Sequence, residues 1–156
     1  MSARPRPAHR RPGLLALVAL GGAAGTACRA GLDTEIPDVG GVSSTILLIN
    51  VLGAFLLGLL LDSLARRGPD QGRRQRMRLL LGTGFLGGFT TYSTLATHTA
   101  LLMGSGSPAA GVAYGLMTVL GGGLATWAGI AVAAALSPRP ATGPRTTATP
   151  STQGRR

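Results

Sequence analysis

The chain has 156 residues, 45% of them hydrophobic, with 25 glycines and a mean hydropathy of +0.31, which makes it one domain by length and excludes an ordinary soluble globule. Its formal charge of +10 comes from 15 arginines, without a lysine, set against 5 acids. The arginines flank apolar runs instead of forming a basic face interleaved with aromatics, which argues against a nucleic-acid partner and for membrane topology.

The apolar runs set the class. Val39–Leu61 and Leu79–Leu136 contain no Asp, Glu, Lys or Arg. A helix crosses the hydrocarbon in about 20 residues, so the two runs hold one and two passes. Met1–Pro12 is a Pro/Arg tail with Arg4, Arg6, Arg10 and Arg11; it has no means of building a core and is expected to be disordered. A first span is expected over about 14–32, ending near Arg29. Its Arg-rich start and Leu14–Leu20 also have the look of a secretory signal, and Cys28 invites lipoprotein processing. Against this, Gly25 stands where a lipobox wants an aliphatic residue. Gly22 and Gly25 also form a small-residue packing face that a discarded segment would not need. Cys28 is the only cysteine, which excludes an intrachain disulfide or a cysteine-rich metal site.

Asp33–Gly41 reads as an acidic loop. Span two, about 44–64, carries Asn50 at depth and Asp62 near its far end. The connection 65–78 is hydrophilic and holds Arg66, Arg67, Arg73, Arg74, Arg76 and Arg78. Span three covers about 79–103, Gly104–Pro108 is a tight uncharged turn, and span four covers about 109–136. Ser137–Arg156 is a second disordered Pro/Thr/Arg tail. The expected fold is an all-α membrane protein: a domain over 13–136 with four transmembrane helices, between two cytoplasmic tails. Four spans place both tails and the middle connection on one side, with 14 arginines there against Arg29 alone opposite. The positive-inside rule then gives N-in/C-in insertion in the cytoplasmic membrane.

Span three contains the stretch on which function turns. In Gly82–Thr97, Gly82, Gly84, Gly87 and Gly88 precede five Ser and Thr residues in eight positions. Each interior Gly costs about 1 kcal/mol relative to Ala, so a break in the middle of the helix, near Gly87, is expected. Carbonyls freed at membrane depth persist only where they are packed in protein, line a wet cavity or hold a cation. An ion site is one outcome. The other is a glycine packing face with hydroxyls bonded back to their own helix.

No nucleophile–base pair, carboxylate pair or phosphate loop is present, so enzyme chemistry is not expected. His98 is the sole imidazole within the spans, a packing residue without a second ligand beside it. Asn50 needs partners, because an unsatisfied amide in hydrocarbon costs several kcal/mol. It can bond a neighbouring helix or line a path. With Tyr92, Ser93, Thr94, Tyr114 and Thr118, it makes the membrane region rich in donors and poor in carboxylates. Hydroxyls, amides and aromatic edges can replace the hydration of a small anion without binding it too tightly to leave.

Three segments carry a resemblance. Gly21-Gly22-Ala-Ala-Gly25-Thr-Ala-Cys-Arg29, Thr45-Ile-Leu-Leu-Ile-Asn50-Val-Leu-Gly53-Ala-Phe-Leu-Leu-Gly58 and Gly84-Phe-Leu-Gly87-Gly88-Phe-Thr90-Thr91-Tyr92-Ser93-Thr94-Leu95 resemble, in order, the Fluc (CrcB) fluoride channel family. The Gly-Gly-x-Thr-Thr-aromatic-Ser-Thr piece is the specific one. The resemblance implies passive fluoride export that lowers cytoplasmic fluoride toxicity. It further implies an antiparallel dimer of four-helix subunits with pores along the interface. A structural, untransported sodium ion (Na+) would be held by the backbone carbonyls of Gly87 and Thr90, beside Gly88. Asn50 would line the pore, with Tyr92, Ser93 and Thr94, and Tyr114 and Thr118 from span four. Arg29 would be the family's structural arginine near the end of span one.

Two residues depart from the family pattern: Leu95 stands at an aromatic position, and His98 where an acid is common. The arginine bias is a third departure, because antiparallel homodimers need weak bias. A partner encoded separately, an oppositely oriented paralogue that supplies the aromatic missing at Leu95, is therefore expected. A non-conducting partner subunit is one rival. A small multidrug or organic-cation exporter is another, but it would need an acid near the bilayer centre.

Overall fold

The computed structural model describes residues 11–36 and 43–137. The expectations for 1–10, 37–42 and 138–156, which cover most of both tails and of the acidic loop, lie outside them. The described residues are helical, with no strand among them: α1 (Pro12–Glu35), α2 (Ser44–Arg66), α3 (Arg73–Met77), a π-helical segment (Arg78–Leu86), α4 (Gly87–Phe89), α5 (Tyr92–Gly104) and α6 (Pro108–Leu136). Helices α1, α2 and α6 are each long and apolar enough to cross a membrane. The remaining apolar stretch is divided: α3, the π segment and α4 follow one another without a gap, and α5 resumes after Thr90 and Thr91.

Local chemistry explains the ends. Pro12 starts α1 at the first helical position, where its missing N–H costs nothing and its fixed φ suits a helix. At the other end α1 runs through Asp33 to Glu35, beyond the expected 32. Thr34 Oγ1 donates to the Gly31 carbonyl at 2.7 Å and the Ile36 amide to the Leu32 carbonyl at 3.1 Å. Ile36 is extended (φ −104°, ψ 114°), as a residue before proline is pushed to be, so the helix stops there. Helix α2 continues two residues past the expected 64, and Gly68 then turns the chain with φ +116°. The connection is not wholly irregular either: it becomes helical at Arg73, after Gly72 with φ +57°. In it Asp62 pairs with Arg66 at 2.5 Å and Asp70 with Arg78 at 2.7 Å. The hydrogen bond that Arg78 donates to Asp70 raises the Arg78 pKa above its ordinary value.

Helices pack in two main pairs, α1 against the π segment and α4, and α2 against α6, while α5 lies on α6. Glycines let the backbones touch. A Cβ on Gly84 would sit 2.8 Å from the Val18 carbonyl, and one on Gly129 would run into the Phe55 carbonyl. Two small apolar clusters lock these contacts, Ile46 with Leu95 and Tyr114, and Ile49 with Leu86 and Phe89. Outward-facing Leu120, Leu124 and Trp127 on α6 are well exposed, as on a helix covered by lipid or by a partner.

The glycines do not break the third apolar stretch. Gly82, Gly84, Gly87 and Gly88 all lie in helical backbone, and the interruption falls at Thr90–Thr91, three residues past the expected point. In their place is a π segment of nine residues, a form that is rare and concentrates at functional sites.

Candidate functional site

The site is built on the break. Thr90 (φ −78°, ψ 156°) and Thr91 (φ −145°, ψ 121°) are extended between two helical pieces. The Thr90 amide and hydroxyl both donate to the Leu86 carbonyl, at 3.0 and 2.9 Å, and so close off the first piece. Thr91 belongs to Asn50 of α2. Its amide donates to Asn50 Oδ1 at 2.9 Å, and its carbonyl accepts from Asn50 Nδ2 at 3.0 Å. A donor and an acceptor on the same residue fix which way the Asn50 amide points. Asn50 therefore stands in for a neighbouring strand or helix turn. It satisfies the backbone that the break exposes, and among the described residues its second Nδ2–H has no partner.

The clamp has a consequence four residues upstream. In an unbroken helix the Thr91 amide would bond the Gly87 carbonyl. Asn50 has taken it. Among the described residues no hydrogen bond reaches the carbonyl oxygens of Gly87 or Thr90. Gly87 faces open space, whereas Gly88 faces α1: a Cβ there would meet the Gly22 carbonyl, and the Gly88 carbonyl accepts from Thr26 Oγ1 at 3.3 Å. The described residues contain no cluster of His, Cys, Asp or Glu fit for a metal. Carbonyl oxygens are ligands for hard cations, and the Gly87 and Thr90 oxygens are donors of that kind.

Thr91 also restarts the chain. Its Oγ1 accepts from the Thr94 amide at 3.2 Å as the N-cap of α5, and it lies 3.2 Å from Ser93 Oγ and 2.9 Å from Thr94 Oγ1. Ser93 and Thr94 thus form a hydroxyl cluster centred on Thr91. The sequence reading passed over Thr91 as a site residue. Its place three residues before Thr94, at the start of a new helix, was the signal that could have found it.

The other expected residues divide. A groove of about 400 Å³ collects Asn50, Gly87, Thr90, Tyr92 and Thr118, and no Asp or Glu lines it. Tyr92 stands at its edge, 80% exposed. Ser93, Thr94 and Tyr114 are not in its lining. Tyr114 is buried and its hydroxyl donates to the Ser43 carbonyl at 3.1 Å; Thr118 donates back to the Tyr114 carbonyl at 2.9 Å. Tyr114 thus ties α6 to the N-cap of α2, whereas the Thr118 bond stays within α6. Leu95 is 6% exposed and packs with Ile46 and Tyr114 in its own subunit. Arg29 is half-buried on α1 and makes no ion pair or hydrogen bond among the described residues.

Comparison with known proteins gives consistent matches. The family profile described as "CrcB-like protein, Camphor Resistance (CrcB)" matches residues 16–130. A protein of Leifsonia xyli subsp. xyli named "Fluoride-specific ion channel FluC 2" is 48% identical over 133 residues, covering 85% of this chain and 92% of the relative. One of Cutibacterium acnes, "Fluoride-specific ion channel FluC 1", is 46% identical over 123 residues, 78% of this chain and 86% of its own. One of Chelativorans sp., "Fluoride-specific ion channel FluC", is 38% identical over 121 residues, 74% and 92%.

Proposed function

This chain belongs to the CrcB family, and from that membership we propose that it is a subunit of a fluoride-specific channel that lets the ion leave the cell passively. It is a channel and not an enzyme, as its named relatives are. The observation that carries this reading is the Asn50–Thr91 clamp: a two-residue break at membrane depth, held open by an amide with one donor left and facing a carboxylate-free groove. The spare Nδ2–H of Asn50, the hydroxyls around Thr91 and the ring edge of Tyr92 are donors without a fixed negative charge among them. They can replace part of the hydration of fluoride and release it again.

Several finer features belong to the same proposal. The chain crosses the membrane four times, the third time as two half-length pieces, with N-in/C-in insertion. Two subunits pair antiparallel, and the groove becomes a closed path only when a second subunit covers it. The Gly87 and Thr90 carbonyls hold a sodium ion that is not transported; when bound, it supplies fixed positive charge at the seam. The partner is an oppositely oriented paralogue, which the bias of 14 arginines to one supports. The relatives numbered 1 and 2 fit organisms with more than one such chain. Tyr114 serves by holding α6 against the start of α2, while Thr118 lines the groove.

Fluoride efflux from liposomes tests the function. The chain reconstituted with its partner is expected to release fluoride and not chloride, and Asn50→Leu to slow release at least tenfold. Full flux in that variant removes Asn50 from the path. Absence of fluoride flux with the partner present overturns the channel assignment. Selective flux from the chain alone would defeat the requirement for a paralogue.

A further inference from the structure

The corner between α2 and α3 holds a second feature that permeation does not use. A cavity of about 400 Å³ there is bounded by Arg67, Gln71, Arg73 and Arg74, with Leu64 and Met77 at its inner side. A second groove of about 390 Å³ shares Leu64, Arg67 and Met77 with it and runs on between α2 and the π segment past Leu60, Leu81 and Phe85. The polar cavity and the apolar groove therefore adjoin at Leu64, Arg67 and Met77. Their junction lies where α2 leaves its apolar stretch at Arg66.

The charges here are unevenly spent. Arg66 and Arg78 are paired with Asp62 and Asp70, so neither acid is free to repel an anion. Arg74 is structural: its Nε donates to the Pro69 carbonyl at 2.9 Å and its Nη1 to the Arg67 carbonyl at 2.8 Å. Among the described residues, the guanidiniums of Arg67 and Arg73 make no ion pair or hydrogen bond, although both border the cavity. Two unspent planar donors at the water boundary match a phosphate oxygen pair.

We propose that this corner binds one anionic phospholipid, its phosphate against Arg67 and Arg73 and one acyl chain in the groove between α2 and the π segment. A free phosphate would satisfy the arginines but leave the Leu60–Phe85 groove unfilled, and a zwitterionic lipid would fill the groove but carry a cation beside the arginines. Only a lipid of net negative charge meets both ends of the site. Bound there, it bridges α2 to the π segment, on the same helical rod that carries Gly87 and ends at Phe89.

Native mass spectrometry of the full-length chain in detergent provides the test, with long-chain phosphatidylglycerol and phosphatidylcholine as probes. Phosphatidylglycerol should be retained at least tenfold more than phosphatidylcholine. The double variant Arg67→Gln/Arg73→Gln should lower that retention about tenfold or more, since each arginine at a surface contributes about fivefold. Arg76→Gln, an exposed arginine outside the cavity, should retain it unchanged. Dihexanoyl phosphatidylglycerol should bind more weakly than the long-chain lipid, and inorganic phosphate should not displace the long-chain lipid at equal concentration. Equal retention of the two headgroups, undiminished retention in the double variant, or equal binding of the short-chain lipid would each overturn the proposal.

Discussion

Asn50 shows how one side chain can carry a structural and a functional role without conflict. Its Oδ1 and one Nδ2–H are committed to Thr91, and the residue also lines the groove. Asn50→Ala leaves a half-buried N–H and C=O unpaired, each costing about 1–3 kcal/mol. A fall in thermal stability alongside the loss of flux is therefore expected. Asn50→Asp keeps the acceptor but loses the donor and places a negative charge on the path. Flux should fall further than stability does, which thermal melts and efflux on the same sample will separate. The two adjacent glycines make a sharper contrast. Gly88→Ala drives a methyl into the Gly22 carbonyl and should destabilise by about 1–3 kcal/mol, whereas Gly87→Ala meets nothing within 4 Å and should fold normally. Equal melting temperatures for these two variants would refute the close approach of α1 and α4.

At the scale of elements, the third apolar stretch is instructive because two signals in it act separately. The glycines are a packing device: Gly84 and Gly88 press on α1, and the backbone around them stays helical, in π form at Gly84 and α form at Gly88. The hydroxyls make the break. Thr90 folds back on Leu86, Thr91 caps α5, and the side chain that stabilises the extended pair comes from α2. Thr91→Ala removes the cap, worth about 1 kcal/mol, together with the centre of the Ser93/Thr94 cluster. Hydrogen exchange should then quicken over the first turn of α5 and leave α6 unchanged; uniform quickening in both helices would mean that Thr91 supports the whole fold and not the restart. Glycine spacing alone could not locate the break, because helix-breaking tendency is an average cost while tertiary packing decides which residue yields.

For the whole molecule, charge bias and packing bear on different questions. The 15 arginines speak to insertion, and the proposed single orientation follows from their placement. With Cys28→Ser and a new cysteine at the C-terminus, the chain expressed alone should label from the cytoplasmic side only. Equal labelling from both sides would end the proposal of an oppositely oriented paralogue. Replacing sodium by N-methylglucamine should lower fluoride flux through the assembled channel, because the Gly87 and Thr90 carbonyls would lose their proposed counter-charge. Unaltered flux with no sodium bound would remove the ion from the assembly.

The sequence by itself determined the class, the apolar stretches, the family and the importance of Asn50 and the Gly/Thr motif, since composition and apolar run length act through solvent and need no contacts to be read. It also held the α1 stop, in the proline after Ile36. Only the tertiary structure decided that the break falls at Thr90–Thr91, that Asn50 clamps it, that Tyr114 ties α6 to the start of α2 and that Leu95 packs in the core. Each of these depends on which backbone group a side chain from another helix can reach, and a hydrogen bond between residues 41 positions apart leaves no trace in local spacing.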